Sequence, residues 1–417
     1  DAQGSKAPIE RLADKVSAVF VPVVLVFAIL VLLTWLLVAP LFLPFSQAIT
    51  LALLSFVGIL VIACPCAMGL ATPTAIIVGV GKAAANGILI KSAENLEKFN
   101  SINFIVMDKT GTLTKGEPEL TDIKIIGSYL EKEVIQILAS IESYSEHPLA
   151  KAIVKKAWQL KIKLHKVQQF SVIEGKGLQG NFNEKRYLVG NVKLAQDLSL
   201  KVDEKIITSF SLQGKTPIIL MTQKNIIAYV GIADTVKDDA KKIVSELHKQ
   251  NLKIAMLTGD NQNTAQYIAS QIGIDLVIAE VLPAEKANEI KKLQKQGYHV
   301  AMVGDGINDA PALATADVGV AMGTGTDVAI ESAGITLLGG QISKIPKAIR
   351  LARATMKTIK QNLFWAFFYN VIGIPVAAGL LYPIFGILLN PAIAGAAMAF
   401  SSVSVVLNAL RLKTVKI

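Results

Sequence analysis

Charge is what this sequence lacks most. Only 18% of its 417 residues are charged, and none falls between Val16 and Gly81 or between Gln361 and Leu410. With 52% hydrophobic residues and a mean hydropathy of +0.49, the composition excludes an ordinary soluble enzyme and points to membrane spans. Cysteine is almost as scarce: Cys64 and Cys66, either side of Pro65, are the only two, so any thiol chemistry is confined to that tripeptide. There is no initiator Met, no signal-peptide pattern and no low-complexity tract. Asp1, Ala2, Gln3, Gly4 and Ser5 read as the end of a linker, so the chain is expected to be the C-terminal part of something longer.

Each uncharged stretch can hold two spans at about 20 residues per helix. The first breaks near Pro40, Pro44 and Ser46, the second near Tyr382, Pro383, Asn390 and Pro391, which predicts four membrane helices in two hairpins. The alternative, a pair of buried core helices, fails because a globular core does not sustain helices of this length without polar faces. Lys6, Arg11 and Lys15 precede the first hairpin and Lys82 and Lys91 follow it; Arg350, Arg353, Lys357 and Lys360 precede the second, and Arg411, Lys413 and Lys416 follow it. The positive-inside rule puts all four ends, and the polar stretch between the hairpins, in the cytoplasm, with the cell membrane as the expected location. These flanks largely explain the net charge of +10, which is therefore not read as nucleic-acid binding.

The polar stretch opens with an apolar run, Ile102, Phe104, Ile105, Val106 and Met107, that reads as a buried strand ending in Asp108. A carboxylate at the C-terminal tip of such a strand lies in the crevice where open α/β sheets bind ligands. Lys109, Thr110, Gly111 and Thr112 add a cation, hydroxyls and flexible backbone suited to phosphate oxygens. The segment DKTGTLT is therefore read as phosphoryl-transfer equipment with Asp108 as nucleophile. An ordinary turn after a strand is the plainer alternative, since Asp, Thr and Gly are common turn residues.

A segment with its own pattern follows: helices near Glu131 to Glu142 and Leu149 to Lys161, then short strands around Phe170, Tyr187 and Ile218. From Ile232 strands and helices alternate, with Lys253 to Leu257, Val300 to Val303 and Val318 to Val320 as strands and Asp238 to Gln250 and Ala284 to Gln296 as helices. This alternation implies a parallel sheet interrupted by an inserted cap. Thr258, Gly259 and Asp260 end one strand and can hold phosphoryl oxygens, while Gly304, Asp305, Gly306, Ile307, Asn308 and Asp309 end another and set carboxylates opposite Asp108. Facing carboxylates across a phosphoryl group make a hard-oxygen site for Mg²⁺. Lys286, in PAEK, supplies a positive charge to the same pocket.

DKTGTLT, TGD and GDGINDAPAL together resemble the phosphorylation domain of P-type ATPases, which has the haloacid dehalogenase-like fold. Ser145, Glu146, His147 and Pro148, with Glu142 and the pair Gly175 and Gly177, resemble the nucleotide site of the heavy-metal branch. The resemblance implies ATP bound by Glu142, His147, Gly175 and Gly177; catalysis by Asp108, Lys109, Thr110, Thr258, Gly259, Asp260 and Lys286; and Mg²⁺ on Asp108, Thr110 and Asp305. The expected fold is a multidomain membrane protein. It has α-helical transmembrane hairpins at 1–97 and 346–417, an α/β haloacid dehalogenase-like phosphorylation domain at 98–114 and 232–345, and an inserted α+β nucleotide-binding domain at 115–231.

The ion is read from the spans. Pro65 cannot donate a helical hydrogen bond, so it unwinds the helix and can turn both sulfurs toward one cavity. Thiolates favour Cu(I), Ag(I) and Zn(II); two cysteines acting as small apolar residues are the alternative. Met398 and Ser402 are four apart and share a helix face, and no carboxylate or lysine lies in either span, which suits Cu(I) better than a divalent ion. Tyr369 and Asn370 with Met398 and Ser402 resemble the YN and MxxSS patterns of the copper(I)-transporting subgroup, which implies copper ligands at Cys64, Cys66, Tyr369, Asn370, Met398 and Ser402. Met398 as simple packing stays open.

Two features of that family are missing. No TGE occurs, so the actuator domain that positions the hydrolytic water is not present in this sequence; nor are there cysteines for an amino-terminal CxxC domain. The expected partners are ATP, copper(I) from a cytoplasmic chaperone, the lipid bilayer and an upstream half of the same transporter. ATP-driven export of copper(I) through an aspartyl phosphate is the expected function. Zinc or cadmium export, and a membrane-anchored phosphohydrolase that moves no ion, are the alternatives.

Overall fold

The computed structural model describes residues 8–260 and 262–417, with the side chains of Pro148 and Ile307 outside the description. The expected linker, Asp1 to Ser5, and the flanking Lys6 lie outside the described residues. Two compact units form. One is Asp1–Ser101 with Gly334–Gly339 and Lys344–Ile417; the other is Ile102–Ala333 with Gly340–Ser343.

The first unit is helical. Three stretches are long and apolar enough to cross a membrane: Pro8–Leu41, Phe45–Ala85 and Pro391–Thr414. The fourth expected span, in the 34-residue helix Lys344–Ala377, is long enough but less apolar than these three. Its uncharged half carries Gln361, Asn362, Tyr369 and Asn370, which lower its hydropathy below that of a typical span. It nonetheless packs into the bundle, where a side chain at Gly373 would meet Ile62 and one at Gly58 would meet Ala377. Such small residues let membrane helices approach closely. The stretch Phe45–Ala85 is broken: one helix ends at Ile62 and the next starts at Cys66. Pro65 has no N–H to continue the ladder, as the sequence suggests. A short antiparallel pair, Ile88–Ile90 with Ile335–Leu337, also belongs to this unit.

The second unit holds a parallel sheet in the order Val318–Met322, Val300–Gly304, Phe104–Asp108, Lys253–Leu257, Leu276–Ile278. The central strand is buried along its whole length, as a strand covered on both faces must be. Register decides the chemistry. Asp108 pairs with Leu257 and Met107 with Val303, so Asp108, Thr258 and Gly304 emerge side by side at one sheet edge.

Between them the chain builds an antiparallel sheet ordered Thr114–Ile125, Ile226–Val236, Thr216–Met221, Lys185–Gly190, Gly177–Phe182, Gln168–Ile173. Helices Glu131–Glu142 and Pro148–Gln159 cover it, with Val134, Leu138, Ile141, Ile153 and Ala157 packed on Leu178, Val189, Leu220 and Val230. The helices match the expectation closely. The sheet is larger than the sequence suggests, because Thr114–Ile125 carries Lys115, Glu117, Glu119, Asp122 and Lys124 and has a bulge after Thr114, which hides its period of two.

Candidate active site and membrane site

Asp108 is the last residue of its strand and only 6% exposed. Its Oδ2 accepts the Thr110 N–H at 3.0 Å, and its Oδ1 accepts from the Lys286 ammonium at 2.6 Å. Lys286 also donates to Asp309 Oδ1 at 2.6 Å. Burial, reinforced by the Asp309 charge, pushes the Asp108 carboxyl up to about 6 against the pull of Lys286. Burial works against the Lys286 charge, but Asp108 and Asp309 outweigh it and hold the ammonium above its usual range. Asp305 is likewise raised, first by burial and then by Asp309.

Carboxylate oxygens of Asp108, Asp305 and Asp309 all lie within 4.8 Å of one another. Three acidic groups against one buried ammonium leave surplus negative charge among hard oxygen donors, which is the donor set Mg²⁺ takes. Thr110, expected as a magnesium ligand, takes part in the structure through its backbone amide on Asp108. Gly111 has φ +71°, and a side chain there would collide with the Asp305 carboxylate, so the loop closes on the acidic cluster only with glycine.

Thr258 is buried and its Oγ1 accepts the Asp260 N–H at 3.1 Å. Gly259 follows in the same turn. Lys109 pairs with Asp260 at 2.7 Å, so these two expected catalytic residues neutralise each other beside the pocket. Asp309, only 2% exposed, is the residue that sequence reasoning underrated, since it was grouped with the opposing carboxylates while Asp305 alone was assigned to the metal. Asp234 and Lys237 were missed altogether. Asp234 accepts from Thr114 Oγ1 at 2.5 Å and from the Gly116 N–H at 2.9 Å, fastening the two strands that join the cap to the phosphorylation half. Lys237 donates to the Gly111 carbonyl at 2.7 Å and to that of Gly340 at 3.4 Å. A cation and a carboxylate three residues apart, where the chain re-enters the parallel sheet, were the available signal.

In the cap, Glu142 ends its helix almost fully buried, and desolvation raises its carboxyl to about 7. His147 is exposed and caps the next helix, its Nδ1 accepting the Leu149 N–H at 3.2 Å, which leaves Nε2 for a ligand. Gly175 has φ +67°, and Asn191 donates to its carbonyl at 3.0 Å. A side chain at Gly177 would strike the Val189 carbonyl, so sheet packing already requires this glycine. Gly177 pairs with Gly190 and Gly190 with Ile219, placing the glycine turn at the sheet end from which the cap joins the phosphorylation half.

In the membrane unit, Cys64 and Cys66 flank the helix break with Cα atoms 5.4 Å apart and their sulfurs side by side. Ala366 packs with Ala67, Met68 and Ala71, and Gly373 faces Ile62, so Asn370, on the same face between them, comes level with the break. On Pro391–Leu410, Ala394 packs with Ile62 and Ala63 while Val405 joins Ala67 and Met68, which brings the intervening Met398 and Ser401 to the same level. Asn370 Oδ1 and Ser401 Oγ are buried there without a hydrogen-bond partner among the described residues. Ser401, three residues after Met398, was passed over for the half-buried Ser402. Tyr369 departs from the expected set: it is 44% exposed and lines a separate cavity with Trp365 and Ser404, because adjacent helical residues point about 100° apart.

A haloacid dehalogenase-like hydrolase family profile matches residues 102–317. The chain belongs to that family. It is 51% identical over 422 residues to a copper-exporting P-type ATPase of Staphylococcus saprophyticus, covering 100% of this chain and 51% of the relative. A protein of the same name from Staphylococcus aureus is 50% identical, with 100% and 50% covered. The chain thus spans about half the length of the curated relatives it matches. Among solved structures, a zinc-transporting PIB-type ATPase in the E2.Pi state aligns with a TM-score of 0.83 at 33% identity, covering 99% of this chain and 65% of that one. The catalytic domain of the CPx-ATPase CopB-B aligns with a TM-score of 0.51 at 31% identity, covering 65% and 98%. Within the haloacid dehalogenase-like hydrolases, the chain's place is among the P-type ATPases.

Proposed function

We propose that this chain is the phosphorylation, nucleotide-binding and membrane portion of an ATP-driven copper(I) exporter. The observation that carries the reading is the buried cluster of Asp108, Lys286 and Asp309 at a strand tip, in the same chain as a Cys-Pro-Cys helix break. Asp108 Oδ attacks the γ-phosphorus of ATP, the bond to the bridging oxygen breaks, and ADP leaves while an acyl phosphate forms on Asp108. A group raised only to about 6 is largely ionised at neutral pH and so remains nucleophilic. Lys286 keeps the carboxylates compatible with an incoming phosphoryl group, and the Thr258 and Gly259 turn offers it donors. Asp108, Asp305 and Asp309, with Thr110 nearby, would hold Mg²⁺, which would supply charge neutralisation. Glu142, His147, Gly175 and Gly177 bring the adenine end of ATP.

Copper(I) is the cargo, held as thiolates by Cys64 and Cys66 in their reduced form, with Asn370, Met398 and Ser401 or Ser402 at the same level. The uncharged stretches 16–81 and 361–410 and the names of the relatives at 51% and 50% identity support copper over zinc, although one structural neighbour at 33% is a zinc transporter. The catalytic parts face the cytoplasm of the cell membrane, a chaperone delivers the metal, and an upstream half completes the path. The test is ATPase activity of the full-length parent titrated with Cu(I) and with Zn(II). Stimulation by Cu(I) alone supports the reading. Stimulation by Zn(II) alone favours the zinc exporter, and ATPase activity indifferent to both leaves a membrane-anchored phosphohydrolase. A second arm replaces His147 with Gln, which should weaken ATP binding while leaving labelling by inorganic phosphate intact.

A further inference from the structure

The helix Lys344–Ala377 changes character within one turn. Up to Lys360 it carries Lys344, Lys347, Arg350, Arg353, Lys357 and Lys360; from Gln361 onward it has no charge. A groove of about 420 Å³ lies on this junction, between Arg353, Lys357 and Lys360 on the charged side and Phe364 and Trp365 on the apolar side, with Asn100 at its wall. Residues 353, 357, 360 and 364 follow the three- and four-residue spacing of one helix face. Lys357 and Lys360 are exposed and make no ion pair among the described residues. Arg353 is already engaged, so the argument rests on the two lysines. The acids of the adjoining helix Ala93–Ser101 are occupied: Glu94 pairs with Lys98 at 2.8 Å, and Glu97 accepts the Ile9 N–H at 3.0 Å.

Below the cations, Phe364, Trp365 and Phe368 are 59%, 48% and 40% exposed, and their rings contact one another with centroids 5.5 to 5.8 Å apart. An apolar aromatic track under unpaired cations, at the depth where charge gives way to hydrocarbon, matches an amphiphile with an anionic head and a long chain. A soluble anion would use only the upper half, and a zwitterionic lipid would bring its own cation against the lysines.

We propose that this groove holds one anionic phospholipid, its phosphate between Lys357 and Lys360 and an acyl chain along Phe364, Trp365 and Phe368. The proposal depends on the membrane placement of this helix and not on which ion is carried.

The full-length parent, in nanodiscs of phosphatidylcholine, is exposed to trace photoactivatable phosphatidylglycerol or phosphatidylcholine, and cross-linked peptides are mapped. Phosphatidylglycerol should label 353–368 roughly tenfold more than phosphatidylcholine, the size expected of two cations facing one anionic head. Lys357→Gln with Lys360→Gln should bring labelling down to the phosphatidylcholine level, while Lys413→Gln with Lys416→Gln, at the other basic flank, should leave it unchanged. Equal labelling by the two lipids overturns the proposal. So does equal loss in both double variants, which means diffuse attraction, or labelling absent from 353–368 because upstream helices cover the groove. The wild-type lipid comparison decides the matter even if a variant fails to fold.

Discussion

The two ends of this chain's chemistry treat buried polar groups in opposite ways. At the strand tips three carboxylates are paired from within the protein: Lys286 bridges Asp108 and Asp309, and Asp260 takes Lys109. Around the Cys-Pro-Cys break, Asn370 Oδ1 and Ser401 Oγ are buried with no partner among the described residues, in helix segments that carry no charge. A polar atom deep in hydrocarbon without a hydrogen bond costs several kcal/mol. The first site is thus largely paired from within and keeps a surplus negative charge at Asp305, whereas the second is incomplete until something else satisfies it. Charged groups demand compensation from within the protein; the neutral donors near the break are left for a ligand to satisfy.

The sharpest way to break the comparison is to remove the nucleophile. Asp108→Asn should abolish an acid-stable, hydroxylamine-sensitive phosphoenzyme, since an amide cannot form the acyl phosphate; persistent label from γ-phosphate ATP means a different nucleophile. Next comes the membrane side, where Cys64→Ser and Cys66→Ser should each remove Cu(I)-stimulated turnover of the full-length parent, because a hydroxyl is a hard replacement for a soft thiolate. Retained Cu(I) stimulation in both reduces the cysteines to packing residues.

Lys286→Met tests the internal pairing. It leaves Asp108 and Asp309 facing each other in a buried pocket, and breaking a buried pair from one side costs about 3 kcal/mol. Removing the ammonium also raises Asp108 further, so the variant should regain stability as pH falls and the carboxyls protonate. Thermal unfolding at pH 7 and pH 5.5 measures both effects. A variant as stable as wild type at pH 7 means that the cluster does not need its cation.

What was legible in the sequence follows the same division. Asp108, Thr258 and Asp305 could be read because each ends a short apolar strand within its own few residues, and a parallel sheet aligns such ends. Asp234 and Lys237 were harder, because their partners Thr114 and Gly111 lie 120 and 126 positions away and the local pattern does not say what they bind. The helices over the cap declare themselves by periodicity, while the charged, bulged strand Thr114–Ile125 does not. In the membrane, proline predicts the break at Pro65, but sequence cannot tell which of two neighbouring polar residues faces inward. Asn370 is buried and Tyr369 is not.

Glu142 sharpens the contrast from a third direction, being a buried acid in the soluble part with no cation beside it among the described residues. Desolvation alone lifts it to about 7, against roughly 4.3 for an exposed glutamate. The folded chain therefore holds a proton at Glu142 between about pH 4.3 and 7 that the unfolded chain has released, so stability contributed here is present at low pH and is lost as pH rises through 7. Above pH 7 the ionised carboxylate is a net burden of about 3.5 kcal/mol. Glu142→Gln keeps the shape of the protonated acid and cannot ionise. It should match wild type near pH 4 and exceed it by about 3.5 kcal/mol near pH 8, as read by chemical unfolding of the cap signal at both values. If bound nucleotide satisfies this group as our reading of the cap implies, saturating ATP should narrow the gap at pH 8. A gap unchanged by nucleotide means that Glu142 is a buried acid with no part in binding, and that unpaired polar atoms in this chain do not by themselves mark where ligands go.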